Sequence, residues 1–182
     1  SRISSIFDLS GLRNSCHSAL SLYRYRRECS EMAPFNIVAT NHTSFTVSDL
    51  DKSVAFYVDV LGFRLLDRSP RDQSFTEKVV GVPGAQIEVA YVQAPGHRLE
   101  LIEYIAPSDR GEVVSRPCDT GFAHIAFDVD NIDLVVAAVH AAGVKPLSEP
   151  VVINDGPNAG GKAIYTRDPD GVTIEFIQKS KK

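Results

Sequence analysis

The sequence predicts an α+β fold: two paired βαβββ modules whose strands build one cup-shaped, eight-stranded mixed sheet. Three observations predict it. The run from His42, "HTSFTVSDLDKSVAFYVDVLGF", recurs from His124 as "HIAFDVDNIDLVVAAVHAAGV". Each copy opens in strand-like alternation and passes into helical spacing. Each helix-like run is followed by three strand-like runs. Self-similarity of this kind marks two copies of one supersecondary unit.

The first strand of each copy alternates. Thr43, Phe45 and Val47 share one face, and His42, Ser44 and Thr46 the other. In the second copy Ile125, Phe127 and Val129 share one face, and His124, Ala126 and Asp128 the other. Period two puts both histidines on the side away from the apolar face. A helix follows in each copy. Leu50, Val54, Tyr57 and Leu61 fall at helical spacing, as do Ile132, Val136 and Val139. Asp51 and Asp133 are the expected caps. Gly62 and Gly143 stand where a left-handed C-terminal residue is wanted.

The remaining strands follow in order. The first copy has "FRLLDRS", "AQIEVAYVQ" and "HRLELIEY"; the second has "VKPLSE" or "PVVIN", then "KAIYTR" and "VTIEFIQ". "PGH" and "DPDG" make the hairpin turns, since Pro fixes φ and Gly permits φ > 0. Module one is expected over 36–104, a linker over 105–120 and module two over 121–180.

Residues 1–35 form an N-terminal extension set apart from this core. Up to residue 31 they are rich in Ser and Arg and poor in acids, and the single methionine is Met32. Two readings stand: an organellar targeting segment, or upstream sequence with Met32 as the natural start.

Composition narrows the function classes. The chain has 182 residues, 43% hydrophobic and 23% charged, an ordinary soluble balance. A net charge of −4 supplies no basic field for nucleic acid or an anionic membrane. No apolar run approaches the roughly 20 residues that span a bilayer. Cys16, Cys29 and Cys118 are odd in number and lack CxxC spacing. A disulfide framework or zinc–thiolate site is therefore not expected, and a reducing, cytoplasmic interior suits the chain.

The last strand of each copy completes a constellation. "LEL" puts Glu100 on the face opposite Leu99 and Leu101, and "IEF" puts Glu175 opposite Ile174 and Phe176. Each copy thus offers one His and one Glu on the face that does not meet a helix. Two such sheets facing each other line a cup with two imidazoles and two carboxylates. That donor set suits a divalent first-row metal; the plainer alternative is one structural His–Glu hydrogen bond per module.

On "NHTSFTVSDLDKSVAFYVDVLGF", "RLELIEY", "GFAHIAFDVDNID" and "DPDGVTIEF", the chain resembles the vicinal oxygen chelate superfamily over roughly residues 37 to 178. That group includes glyoxalase I, methylmalonyl-CoA epimerase, extradiol dioxygenases, and fosfomycin and bleomycin resistance proteins. The resemblance implies metal ligands at His42, Glu100, His124 and Glu175. It implies a divalent cation (zinc, nickel, cobalt, manganese or iron), a small-molecule substrate and a homodimer. It also implies proton transfer next to a carbonyl through a metal-stabilised enolate, as in glyoxalase I or the epimerases, with Glu100 or Glu175 as the base. The alternatives are an extradiol-type dioxygenase using His42, His124 and Glu175, or a non-catalytic binding or resistance protein.

Further candidates line the expected cup. Arg98, Tyr165 and Ser44 are the proposed substrate contacts, with Thr46, Ile102, Ala126 and Thr173 beside them. Glu88 is the candidate for the added carboxylate of the epimerases. "LELIEYIAP" lacks the Asn that glyoxalase I carries after this strand, which counts against glutathione as substrate. "RSPRDQSF" and "NDGPNAGGK" are expected as polar loops over the opening. His97 and His140 are expected to face solvent.

Overall fold

The structure, a computed structural model, describes residues 35–181. Apart from Phe35, the expected N-terminal extension lies outside the described residues. Asn41–Lys182 group into one compact unit, and residues 35–40 ahead of it are irregular and exposed.

Module one runs β1 (Thr43–Val47), α1 (Leu50–Ala55) continued by a π-helical turn (Phe56–Val60), β2 (Arg64–Pro70), α2 (Gln73–Val80), β3 (Gln86–Ala94) and β4 (His97–Ala106). Module two runs β5 (His124–Asp128), α3 (Ile132–Ala141), β6 (Val151–Val152), β7 (Lys162–Arg167) and β8 (Thr173–Gln178). The sheets have orders β1-β4-β3-β2 and β5-β8-β7-β6. In each, the first strand pairs parallel with the last and the other pairings are antiparallel. The repeated topology is as the sequence predicts. The single eight-stranded cup is not: the chain holds two separate four-stranded sheets.

The repeat reaches into the caps. The N-caps are Asp49 and Asn131, two residues ahead of the expected aspartates. Asp49 accepts from the Lys52 amide, and Asn131 from Asp133 and Leu134. Asp51 and Asp133 fall instead in the first turn, where their charge meets the positive end of the helix dipole. The last strand of each module adds a second acceptor. Glu103 Oε2 takes the Leu50 amide at 2.8 Å, and Gln178 Oε1 takes the Ile132 amide at 2.7 Å. Gly62 and Gly143 close the helices at φ 73° and 77°, the left-handed conformation glycine adopts without a Cβ penalty.

The core explains why no cup closes within the chain. Leu50, Tyr57, Leu99 and Leu101 of module one join Ile132, Val139, Ile174 and Phe176 of module two in one buried cluster. Phe63 meets Phe127 edge-on at 5.3 Å between centroids. Tyr57 donates to Asp168 (3.0 Å), and Asp170 accepts from the Ser48 amide (3.0 Å) and the Ser53 hydroxyl (3.1 Å). These contacts use the helix-bearing sides of the two sheets. Burial of that apolar surface, worth about 25 cal/mol per Å², leaves the opposite faces pointing away from the shared core.

Three local expectations change. "RSPRDQSF" is not a loop: β2 extends to Pro70, Asp72 caps α2 by accepting from the Phe75 amide, and Gly81 ends that helix at φ 69°. The short strand β6 comes from "PVVIN" rather than "VKPLSE". His97 is half-buried at the start of β4 and bonded to Thr43 Oγ1 at 2.8 Å, whereas His140 is exposed as expected. "NDGPNAGGK" is a turn-rich loop, and a Cβ on Gly161 would stand 2.4 Å from the Gln178 carbonyl oxygen, so only glycine fits there.

Candidate metal centre

Each sheet carries one His–Glu pair on its outward face. His42 precedes β1, and its Nε2 lies 3.2 Å from Glu100 Oε2. His124 opens β5, and its Nε2 lies 3.2 Å from Glu175 Oε2. Glu100 stands between Leu99 and Leu101, both fully buried on the helix side, so alternation turns its carboxylate outward. Glu175 stands likewise between Ile174 and Phe176.

A tyrosine accompanies each pair. Tyr91 of β3 is the register partner of Glu100, and Tyr165 of β7 is that of Glu175. The Tyr91 hydroxyl donates to Glu100 Oε1, and its ring meets the His42 ring edge-on at 5.8 Å. The Tyr165 hydroxyl lies 3.5 Å from His124 Nε2, with ring centroids 5.1 Å apart. Burial first, then the bond to Glu100, raise the Tyr91 pKa, while the Arg71 charge opposes. Burial and the Glu175 charge raise that of Tyr165.

The donor chemistry fits a cation. Asn41 Oδ1 lies 2.7 Å from His42 Nδ1 and accepts from it, which fixes the ring's orientation. That leaves Nε2 turned to the Glu100 carboxylate, a nitrogen and an oxygen at a separation that a shared cation also fits. Nitrogen and oxygen atoms bound to one metal at about 2.0–2.2 Å stand about 3 Å apart. Fixing of one ring nitrogen by a neighbouring oxygen is the usual support of a ligating histidine. In module two the fully buried Thr173 hydroxyl, across from His124 in the register, has no partner among the described residues.

The two pairs do not converge. Among the described residues no three His, Cys, Asp or Glu side chains come together as a metal-binding group. The expected four-ligand site is therefore not built within one chain, because the helix-side core turns the two faces apart. Both faces are open. The His42 and His124 side chains are 31% and 36% exposed, against 14% and 19% for Glu100 and Glu175. A groove of about 430 Å³ past Arg71, Ile87 and Ile105 contains neither pair, nor does a hollow of about 600 Å³ between the modules past Phe63, Phe127 and Phe176.

The other candidates divide. Ser44 lies opposite Glu100 in the register, and Tyr165 opposite Glu175. Arg98 sits with its Cζ 5.8 Å from the Tyr91 ring centroid. Glu88 is held by Arg68 at 2.8 Å, and the same guanidinium also binds Asp51 of α1. Its cross-strand partner is Glu103, whose carboxylate caps α1, so Glu88 belongs to the helix side and not to the His–Glu face. Tyr91, Asn41 and Arg71 were not among the sequence candidates. Tyr91 had a signal: it enters its hairpin as Tyr165 enters the other, but the first turn is shorter and hides the match.

The sequence profile of the Glyoxalase/Bleomycin resistance protein/Dioxygenase superfamily matches residues 39–176. The chain is 34% identical over 145 residues to a 2-epi-5-epi-valiolone epimerase of an Actinomyces species, spanning 77% of this chain and 79% of that protein. It is 34% identical over 144 residues to a lactoylglutathione lyase of Haemophilus influenzae, spanning 75% and 90%. Its fold is similar to that of a glyoxalase family protein from Bacillus cereus, with TM-score 0.73 at 22% identity, over 82% of this chain and 99% of that one. Among the described residues no helix is long and apolar enough to cross a membrane.

Proposed function

Because the chain belongs to the Glyoxalase/Bleomycin resistance protein/Dioxygenase superfamily, we propose that it is a divalent-metal-dependent enzyme moving a proton at a carbon next to a carbonyl. The proposed site joins His42 and Glu100 of one copy to His124 and Glu175 of a second. One observation carries this reading: two His–Glu pairs with the same 3.2 Å separation at matching repeat positions, on sheet faces that lack a second wall. A homodimer that stacks the module-one face of one copy on the module-two face of the other supplies that wall twice.

The cation, zinc, nickel, cobalt, manganese or iron, supplies Lewis acidity toward negative charge developing on a substrate oxygen. The other work falls to side chains. Glu100 or Glu175 accepts the proton as the C–H bond breaks and its electron pair moves toward the carbonyl oxygen. Delivery of a proton by the other glutamate to the opposite face of the same carbon gives epimerisation, and return to the neighbouring carbon gives isomerisation. Tyr91 holds Glu100 through its hydroxyl, and Asn41 holds the His42 ring. Arg98, Tyr165 and Ser44 border the faces and contact the substrate. Relatives that are an epimerase and a lactoylglutathione lyase support this class of reaction.

The test uses two dead chains. One carries H42A and E100Q, the other H124A and E175Q. Alone, neither forms an intact site. Mixed under conditions that exchange subunits, a mixed dimer regains one intact site of two, so bound metal and turnover return to about half in that dimer. Failure to recover metal in a demonstrated mixed dimer, or a wild-type chain that binds metal as a monomer, would overturn the between-chain site.

A further inference from the structure

The two His–Glu–Tyr faces are matched except in charge. Tyr91 has two guanidinium groups beside its ring, Arg71 with Cζ 5.9 Å and Arg98 with Cζ 5.8 Å from the centroid. Among the described residues no cation is placed in this way at Tyr165. Arg71 follows β2 and reaches back along it to Ser69 and to Asp67 (3.3 Å), and Asp67 is the register partner of Tyr91. Arg98 is the second residue of β4, two before Glu100 and therefore on the same face. Tyr91 thus has one cation on its β2 flank and one on its β4 flank.

The acids nearby pair with one of them and leave the other without a partner among the described residues. Asp67 accepts from Arg71 and from the Ser69 hydroxyl, and Glu100 is engaged with His42 and Tyr91. Arg98 is exposed and has no carboxylate within salt-bridge distance among the described residues. A guanidinium is a planar fork of donors that matches the oxygens of a carboxylate or phosphate. Both stand within about 6 Å of one ring centroid, so an anion seated beside that ring lies in the field of both guanidinium groups. A divalent cation at His42 and Glu100 strengthens the same positive field.

We propose that Arg71 and Arg98 form an anion subsite on the module-one face, and that the substrate carries a carboxylate or phosphoryl group besides its reacting carbonyl. The second half rests on the proton-transfer reading of the His–Glu pairs; the subsite itself does not. Module one then holds the acidic end of the substrate, and module two, with Tyr165 and no such pair of arginines, faces its uncharged part.

The experiment titrates the full-length chain with malonate and with inorganic phosphate at constant ionic strength, once after chelation and once after metal loading. Saturable binding of at least one probe by the chelated protein is expected, and the tighter probe tells carboxylate from phosphoryl. R71Q and R98Q should each weaken it by about tenfold or more, while R98K keeps part of it. Circular dichroism and metal content of the variants should match wild type. Binding unchanged in both variants, or no binding of either probe to wild type, overturns the subsite. A chain that takes up no metal yet keeps arginine-dependent anion binding overturns the metal reading and leaves the subsite standing.

Discussion

His124 Nε2 lies 3.2 Å from Glu175 Oε2 across the parallel β5–β8 pair, on a face without a wall. Either partner can be removed without opening the core. His124→Ala and His42→Ala should each remove most bound metal, read by elemental analysis of untagged protein. Stability should move by only about 0.5 kcal/mol, as for surface substitutions. Metal retained stoichiometrically in both variants would return the pairs to structural hydrogen bonds. Glu100→Gln and Glu175→Gln keep shape and lose charge. Both should bind metal more weakly, and the one acting as base should lose turnover beyond its metal loss.

The tyrosines should differ in weight. Tyr91 donates directly to Glu100, whereas Tyr165 stands 3.5 Å from His124 Nε2. Tyr91→Phe should lower metal affinity by about 10-fold or more, the scale for groups that orient ligands, and Tyr165→Phe by less. Competition with a chromogenic chelator measures both, and equal effects would show that the hydroxyl bond to Glu100 does not position the ligand.

Asp168 carries the acid-range pH dependence at the module interface. Burial raises its pKa above the ordinary carboxylate value, opposed by donation from the Val172 amide, Tyr57 and the Asp170 amide. The folded chain then holds this proton to higher pH than the unfolded chain does. Its contribution to stability is full below the unfolded pKa and is lost as pH rises through the raised folded pKa. Asp168→Asn keeps the shape and cannot ionise. Thermal melts should show the variant gaining on wild type as pH rises through that window; a constant difference would mean that Asp168 is not shifted.

Asp170 ties the modules together from one side chain. Its carboxylate accepts from the Ser48 amide and the Ser53 hydroxyl across the interface. Asp170→Ala should cost about 1 kcal/mol in urea unfolding, mainly through the buried Ser53 hydroxyl left unpaired, since water can reach the exposed Ser48 amide.

Leu101 is fully buried in the core shared by both modules. Leu101→Ala should cost about 2–5 kcal/mol by lost burial and a residual cavity. Because the core is shared, both modules should unfold in one transition. Two separate transitions would show that the helix-side contact does not couple them.

Much of this molecule is legible in one dimension because its signals are periodic. Alternation in "TSFTV" and "HIAFD" sets the outward histidines, and "LEL" and "IEF" set the outward carboxylates. The repeat sets the β-α-β-β-β order, and the glycines after the helices set where those end. Each rests on interactions between residues close along the chain or on one strand. The caps lie two positions ahead of the expected aspartates, because Asp49 and Asp51 are chemically equal as caps and only the backbone entering the helix selects between them. The loop expected over 68–75 gives way at Gln73 to helix α2, which leaves Phe75 and Val79 exposed and buries Thr76, so contact with β3 rather than an apolar stripe decides it. What only the tertiary structure decided is the direction in which the two modules pack. The helix-side residues bury against one another across the chain and leave the His–Glu faces apart. Such packing depends on surface complementarity between segments far apart in sequence, which no local period records.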